Sequence, residues 1–148
     1  MTSYDRLTVG SRVTTPGRTI SENAASTIIA MAGYTHPLFT DAAYLARSTS
    51  FAGRPIPGEL SLLLLGGLAE QTDLFDETTL ALVGMDAVEF KTPALVGDTI
   101  RLEIEVSEKR RSASGSRGFI TFVWTCRNQR DEIVLTARAT LAFRTGED

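Results

Sequence analysis

The run LSLLLLGGL, residues 60 to 68, constrains the fold more than any other stretch, because it is apolar on nearly every side when arranged as a helix. It is far shorter than the roughly 20 residues needed to span a bilayer, and Glu59 and Glu70 flank it. Pro57 suits the first turn of a helix, where its missing N–H costs nothing. Four consecutive leucines are also compatible with a buried strand, but the length of the segment favours a helix. We therefore predict a central helix from Gly58 to about Gln71, buried all round and wrapped by a sheet.

Beyond residue 77 the apolar residues follow a period of two, which is typical of strands. The same alternation occurs in four segments, TTLALVGMDAVEFKT, DTIRLEIEVSEKR, RGFITFVWTCRNQ and EIVLTARATLAFR. Residues 11 to 20 add a short opening strand or extended segment. Since helices precede the main strands, we predict an α+β fold with an antiparallel meander and the helices on one sheet face. A chain of 148 residues suits one domain, residues 1 to 148.

Two shorter helices are predicted before the central one. Ser21 is placed to cap the first helix, and Gly33 is a good C-terminal stop for it. Asp41 is placed to cap the second, DAAYLARS. The predicted inner face of that second helix consists of Ala42, Leu45 and Ala46. The loop YTHPLFT between the two helices holds the only histidine of the chain, His36.

Composition excludes several classes of function. A net charge of −3 and a pI near 5.2 give no basic field for a polyanion, so nucleic acid is not the expected partner. The single cysteine, Cys126, has no partner for an internal disulfide and is expected to be a buried core thiol. The first residues, MTSYDRLTVGSR, do not form a secretory signal, so a cytoplasmic location is expected. No membrane anchor, metal site or cofactor is predicted.

The succession TISENAASTIIAMAG, GYTHPLFTDAAYL, SFAGRPIPGELSLLLLGGL and VEFKTPALVGDTIRLEIEV resembles the MaoC-like dehydratase family. The resemblance extends over about residues 8 to 144, and FKTPALVGDTIRLEIEV is its most specific part. It implies the hot-dog fold, a curved antiparallel sheet wrapped around a long central helix. It also implies a homodimer or larger assembly, because the family builds its pocket between two subunits.

Active members of that family are (R)-specific enoyl-CoA hydratases, so the resemblance implies an acyl-CoA or acyl-carrier thioester as ligand. Their motif has glycine, aspartate, any residue, asparagine, proline, any residue, histidine, any residue and aspartate. Gly33, Pro37 and Asp41 keep this motif. Its catalytic aspartate and histidine are replaced by Tyr34 and Phe39, and its asparagine by His36.

Hydration needs a base for water, an acid for the α-carbon and hydrogen bonds to the thioester oxygen. Tyrosine, with an ordinary pKa of about 10, is a donor but a poor base, and phenylalanine is neither. His36 is therefore the candidate acid–base, with Asp41 to orient it and Tyr34 as a donor. The alternative is that His36 hydrogen-bonds only to loop backbone while Asp41 caps the second helix. Tyr34 is alternatively an apolar plug of the pocket, with its hydroxyl at the rim.

Substrate contacts are predicted at the start of the central helix. The Ile56-Pro57-Gly58 segment stands where the family has alanine, histidine and glycine, so the Gly58 N–H is a candidate to bind the thioester oxygen. Phe39 is expected to line the pocket. Arg54, Lys91 and the cluster Lys109-Arg110-Arg111 are candidates for CoA phosphates, although such clusters are usually a solvated turn.

Three functions remain open from the sequence. The first is a hydratase or dehydratase with an altered catalytic set. The second is a non-catalytic subunit that supplies half a pocket to a second hot-dog chain with an intact aspartate and histidine. The third is a thioesterase that uses Glu59, since some hot-dog thioesterases carry a catalytic carboxylate on the central helix.

Overall fold

A computed structural model describes residues 1 to 146 of the chain. Six strands form one antiparallel sheet, namely β1 (Arg12–Thr14), β2 (Arg18–Thr19), β3 (Thr79–Phe90), β4 (Thr99–Arg111), β5 (Arg117–Arg127) and β6 (Ile133–Arg144). Five helices accompany it, namely α1 (Ser3–Arg6), α2 (Glu22–Ala32), α3 (Pro37–Thr40), α4 (Ala42–Ser48) and α5 (Gly58–Ala69). The predicted α+β class and the four long strands are confirmed. Helix α1 was not predicted.

The order of strands in the sheet is β1-β4-β5-β6-β3, and β2 also pairs with β4. The predicted meander is therefore correct for β4, β5 and β6 only. Strand β3 pairs with β6 rather than with β4, the next strand along the chain. This leaves β3 at one edge of the sheet, where most of its residues are exposed.

The core lies between α5 and one face of the sheet. On β4 the alternating residues Ile100, Leu102, Ile104 and Val106 are all buried. Leu65 and Leu68 of α5 are also almost fully buried. Each side chain of this kind contributes about 1.5 to 3 kcal/mol when it leaves water, so this contact fixes the position of the helix.

Helix α5 is not buried all round, and that prediction was wrong for the chain taken alone. Leu63 is 61% exposed, and Glu59 and Glu70 are also exposed on the same side of the helix. The sheet therefore covers one side of α5 only. No helix of residues 1 to 146 is long and apolar enough to cross a membrane.

The predicted limits of α2 are confirmed by its caps. Ser21 accepts a hydrogen bond from the Ala24 N–H, and Gly33 ends the helix in a left-handed conformation. The predicted inner face of α4 is wrong, since Ala42 and Ala46 are exposed and only Leu45 is half-buried. The preceding segment, predicted as a loop, contains the single turn α3.

Cys126 is a buried core thiol, as predicted. Burial raises the pKa of its side chain to about 12, so the thiol is not reactive at neutral pH.

Candidate functional site

Helix α5 begins with two amide groups that have no acceptor in the described part of the chain. Pro57 is its N-cap, one position earlier than the predicted first turn, and it offers neither an N–H nor a capping side chain. The N–H groups of Leu60 and Ser61 bond to the Pro57 carbonyl at 3.0 and 3.3 Å. Within residues 1 to 146 the N–H groups of Gly58 and Glu59 have no such partner. This pair of amides at the positive end of a helix is suited to an oxygen that carries negative charge.

A cleft of about 540 Å³ opens at this end of α5. Its walls are mostly apolar and include Phe39, Phe51 and Phe90, which come from three different parts of the chain. Its polar side chains belong to Glu59, Ser61, Lys91 and Thr92. Such a cleft can bury an apolar chain while a few polar groups orient it.

Phe90, the last residue of β3, lies directly over Gly58. A Cβ atom on Gly58 would come within 2.8 Å of the Phe90 ring, so only glycine fits under the ring as it stands. The ring is itself half-exposed, which leaves it room to move. Sequence reasoning missed Phe90, because in the alternating pattern of β3 it is one more apolar residue.

Tyr34 connects the 33–41 segment to α5. Its hydroxyl donates a hydrogen bond to Glu59 Oε2 at 3.0 Å. The Tyr34 ring also packs edge-on against Phe39, with the ring centroids 5.6 Å apart. The bond to Glu59 raises the pKa of Tyr34 above its ordinary value, so the phenol stays protonated and remains a donor. The position at which the family has its aspartate is therefore joined to a carboxylate from the central helix.

His36 and Asp41 are not joined to each other. His36 is the N-cap of α3, where its Nδ1 accepts a hydrogen bond from the Leu38 N–H at 3.1 Å. Asp41 caps α4, where Oδ1 accepts from the Tyr44 N–H at 2.9 Å. Both side chains are exposed, and neither lines the cleft. His36 therefore bonds to loop backbone and Asp41 caps a helix, which is the alternative to an acid–base pair.

The predicted substrate contacts divide in two groups. Phe39, Pro57 and Gly58 line the cleft, but Arg54 does not. Arg54 donates instead to Glu22 at 2.6 Å and to Ser26 at 2.9 Å, which ties α2 to the segment before α5.

The other basic candidates also differ in their surroundings. Lys109 bonds to the carbonyls of Tyr4 and Leu7, and Arg111 pairs with Asp5, so they hold α1 to the sheet. Lys91 lines the cleft, is about half-exposed and pairs with Glu89. Of these basic residues, Lys91 is therefore the one that is placed to bind a ligand. In the described part of the chain, no cluster of three or more His, Cys, Asp or Glu side chains could hold a metal ion.

A scan against protein-family models gives no match, and a search of curated proteins gives none at a significant level. Solved structures do match. The monoamine oxidase regulatory protein of Archaeoglobus fulgidus is 29% identical, with a TM-score of 0.88 over 97% of this chain and 95% of that one. A MaoC-like dehydratase from Rhodospirillum rubrum is 25% identical, with a TM-score of 0.79 over 97% of each chain.

The fold itself is identified by a double hot-dog protein from Mycobacterium tuberculosis. It is 22% identical, with a TM-score of 0.83 over 98% of this chain and 44% of that one. The hot-dog fold and the resemblance to MaoC-like dehydratases, both predicted from the sequence, are confirmed.

Proposed function

We propose that this chain, a hot-dog protein similar to the MaoC-like dehydratases, binds an acyl thioester beside α5 and catalyses its reversible hydration. The observation that carries the proposal is the pair of unpartnered amides of Gly58 and Glu59 at the edge of an apolar cleft. Hydrogen-bond donors fixed at a site where an oxygen gains charge are a large source of catalytic stabilisation. The thioester oxygen is the group that fits these amides, and the acyl chain is the part that fits the cleft.

Lys91 completes the binding site. It is the one cationic side chain of the cleft lining in the described residues, and it is about half-exposed. A phosphate of CoA, or of the phosphopantetheine arm of an acyl carrier, is the anionic part of such a ligand. Lys91 would bind that phosphate at the cost of its contact with Glu89.

Glu59 is the acid–base that the geometry favours. Glu59 lines the cleft, and its backbone supplies one of the two amides. In hydration Glu59 takes a proton from water as the water oxygen bonds to the third acyl carbon. The electrons of the double bond move toward the thioester oxygen, where the amides stabilise the enolate. The same proton then passes from Glu59 to the second carbon, while Tyr34 holds the carboxylate in place.

The sequence-based assignment, with His36 as acid–base and Asp41 as its orienter, remains a competing proposal. It requires both side chains to leave the capping hydrogen bonds they make. It also requires His36 to move toward a cleft that it does not line. These two requirements are why we place Glu59 first.

A substrate assay on the purified chain tests the proposal. With crotonyl-CoA as the substrate, three quantities would be measured. These are the loss of absorbance of its conjugated double bond, the release of free thiol, and the binding of the ligand by calorimetry. Loss of the double bond without thiol release supports hydration. Thiol release selects the thioesterase that uses Glu59. Binding without turnover selects the non-catalytic subunit, and the absence of binding contradicts all three functions.

The free edge of the sheet supports a homodimer. Strand β3 pairs with β6 on one side and, within residues 1 to 146, with no strand on the other. Leu80, Leu82 and Val83 are about half-exposed along it. A long apolar edge of this kind is a template for pairing with another chain. We therefore propose that a second copy covers β3. Leu82→Glu should shift the sedimentation coefficient from that of a dimer to that of a monomer. The control is Met31→Glu, a change at an exposed residue of α2, which should leave the sedimentation coefficient unchanged.

A further inference from the structure

Ser61 is the polar residue in the interior of the apolar run of α5, and the proposed chemistry does not use it. Its side chain is 3% exposed and lines the cleft. Within the described residues its hydroxyl makes no hydrogen bond. A serine inside a helix commonly donates back to the carbonyl four residues earlier, here that of Pro57, but Ser61 does not.

The hydroxyl oxygen is not closed off from the cleft, because the fully buried side-chain atoms without a partner in the described residues are Arg54 Nε and Trp124 Nε1. A polar atom that reaches an apolar cleft and has no protein partner is placed to bond to a ligand. The location of Ser61 indicates which part of the ligand it would meet. It lies three residues after Gly58, and residues with this spacing are neighbours on one face of a helix. The Ser61 Cα is therefore about 4.5 Å further along the axis than the Gly58 Cα. A ligand held by both groups would carry two oxygens, one at the thioester carbonyl and one a short way along the acyl chain.

We propose that Ser61 is a specificity-determining residue, whose hydroxyl binds an oxygen on the third carbon of the acyl group. The inference depends on the proposed thioester site and adds to it the residue that recognises a 3-hydroxyacyl chain. Phe39, Phe51 and Phe90 offer no hydrogen bond for that oxygen. Thr92 is the other cleft residue whose hydroxyl has no hydrogen-bond partner in the described chain, but it lies outside α5.

The test compares two ligands that differ only at this carbon, 3-hydroxybutyryl-CoA (both enantiomers) and butyryl-CoA. Their dissociation constants would be measured by calorimetry for the wild-type chain, Ser61→Ala and Thr92→Val. In Ser61→Ala we expect affinity for one 3-hydroxy enantiomer to fall about 3- to 10-fold, the effect of one hydrogen bond. Affinity for butyryl-CoA should stay within about twofold, because no hydrogen bond to this ligand is lost. The thermal midpoint of Ser61→Ala should equal or exceed that of the wild type.

The outcomes separate the two proposals. If neither ligand binds the wild-type chain, the thioester site and the role of Ser61 both fail. If both ligands bind but Ser61→Ala weakens them equally, only the role of Ser61 fails. A change of the ligand ratio in Thr92→Val but not in Ser61→Ala also overturns it. A selective loss in Ser61→Ala, with no loss of thermal stability, supports it.

Discussion

The segment from residue 33 to 41 and the first turn of α5 contrast in how they use their polar groups. In the segment, His36 and Asp41 each accept a local backbone hydrogen bond, and the Thr40 hydroxyl donates to the His36 carbonyl. In the first turn of α5, two amides and the Ser61 hydroxyl have no partner within residues 1 to 146. Unused hydrogen-bonding capacity beside a cleft, rather than the presence of a histidine, is therefore what marks a binding site here.

The largest effect should come from Glu59. Glu59→Gln keeps an acceptor for Tyr34 but removes the base, so the rate of crotonyl-CoA hydration should fall about 10²- to 10⁴-fold. His36→Ala should change the rate less than about threefold, because His36 acts as a helix cap. Initial rates at saturating substrate measure both.

Glu77→Gln is the matched control for Glu59→Gln, since it removes a carboxylate that is outside the cleft. The contrast between the two regions is wrong if His36→Ala abolishes hydration while Glu59→Gln retains it. The catalytic group would then be in the segment, as the sequence alone suggested.

The second-largest effect should come from filling the space beside Gly58. In Gly58→Ala the new methyl group meets the Phe90 ring, which must move into the cleft or out to solvent. Overpacking of this kind lowers the free energy of unfolding by about 1 to 3 kcal/mol. A ring displaced into the cleft also takes space from the ligand, so acyl-CoA affinity should fall. The double variant with Phe90→Ala should recover part of the loss, and calorimetry would measure this coupling. Equal additive losses would contradict contact between the two residues.

Substitution of Asp41 should lower the stability of the fold rather than its activity. Asp41→Ala removes the cap of α4, and losing such a cap lowers the free energy of unfolding by about 1 kcal/mol. Asp41→Asn keeps a capping oxygen and should lose less. Urea unfolding measures both, and the hydration rate of the folded variants should stay near that of the wild type. A large loss of rate in Asp41→Asn would show that the charge takes part in catalysis.

The fold could be predicted because its signals are local and repeated. Ser21 and Gly33 set the limits of α2, and four alternating segments gave the four long strands. What the sequence did not reveal was pairing between distant segments. The period of β3 is the same whether it pairs with β4 or with β6, so its place at the sheet edge could not be read from the pattern.

The candidate site was only partly predictable for the same reason. Gly58 was found because the family resemblance marks its position at a helix start. Tyr34 and Glu59 were each considered, but 25 residues separate them and no pattern predicts their hydrogen bond. Ser61 had a visible signal, a lone polar residue within LSLLLLGGL, and its meaning appears only once the cleft beside it is known.

The smallest expected effect concerns the bond between these two regions. The pKa of Tyr34 is raised in the folded chain, chiefly by its hydrogen bond to Glu59. A raised pKa means that the bond contributes stability below the unfolded value near about 10, and that this contribution is lost as pH rises through the folded value. The tyrosinate absorbance of the wild type minus that of Tyr34→Phe should isolate a phenol that ionises later than a free tyrosine. In a Glu59→Ala background the same difference should move back to lower pH, because the hydrogen bond and the carboxylate charge that disfavour the phenolate are both gone. If the two difference curves coincide, Tyr34 and Glu59 are not bonded, and nothing would then tie the 33–41 segment to the chemistry at α5.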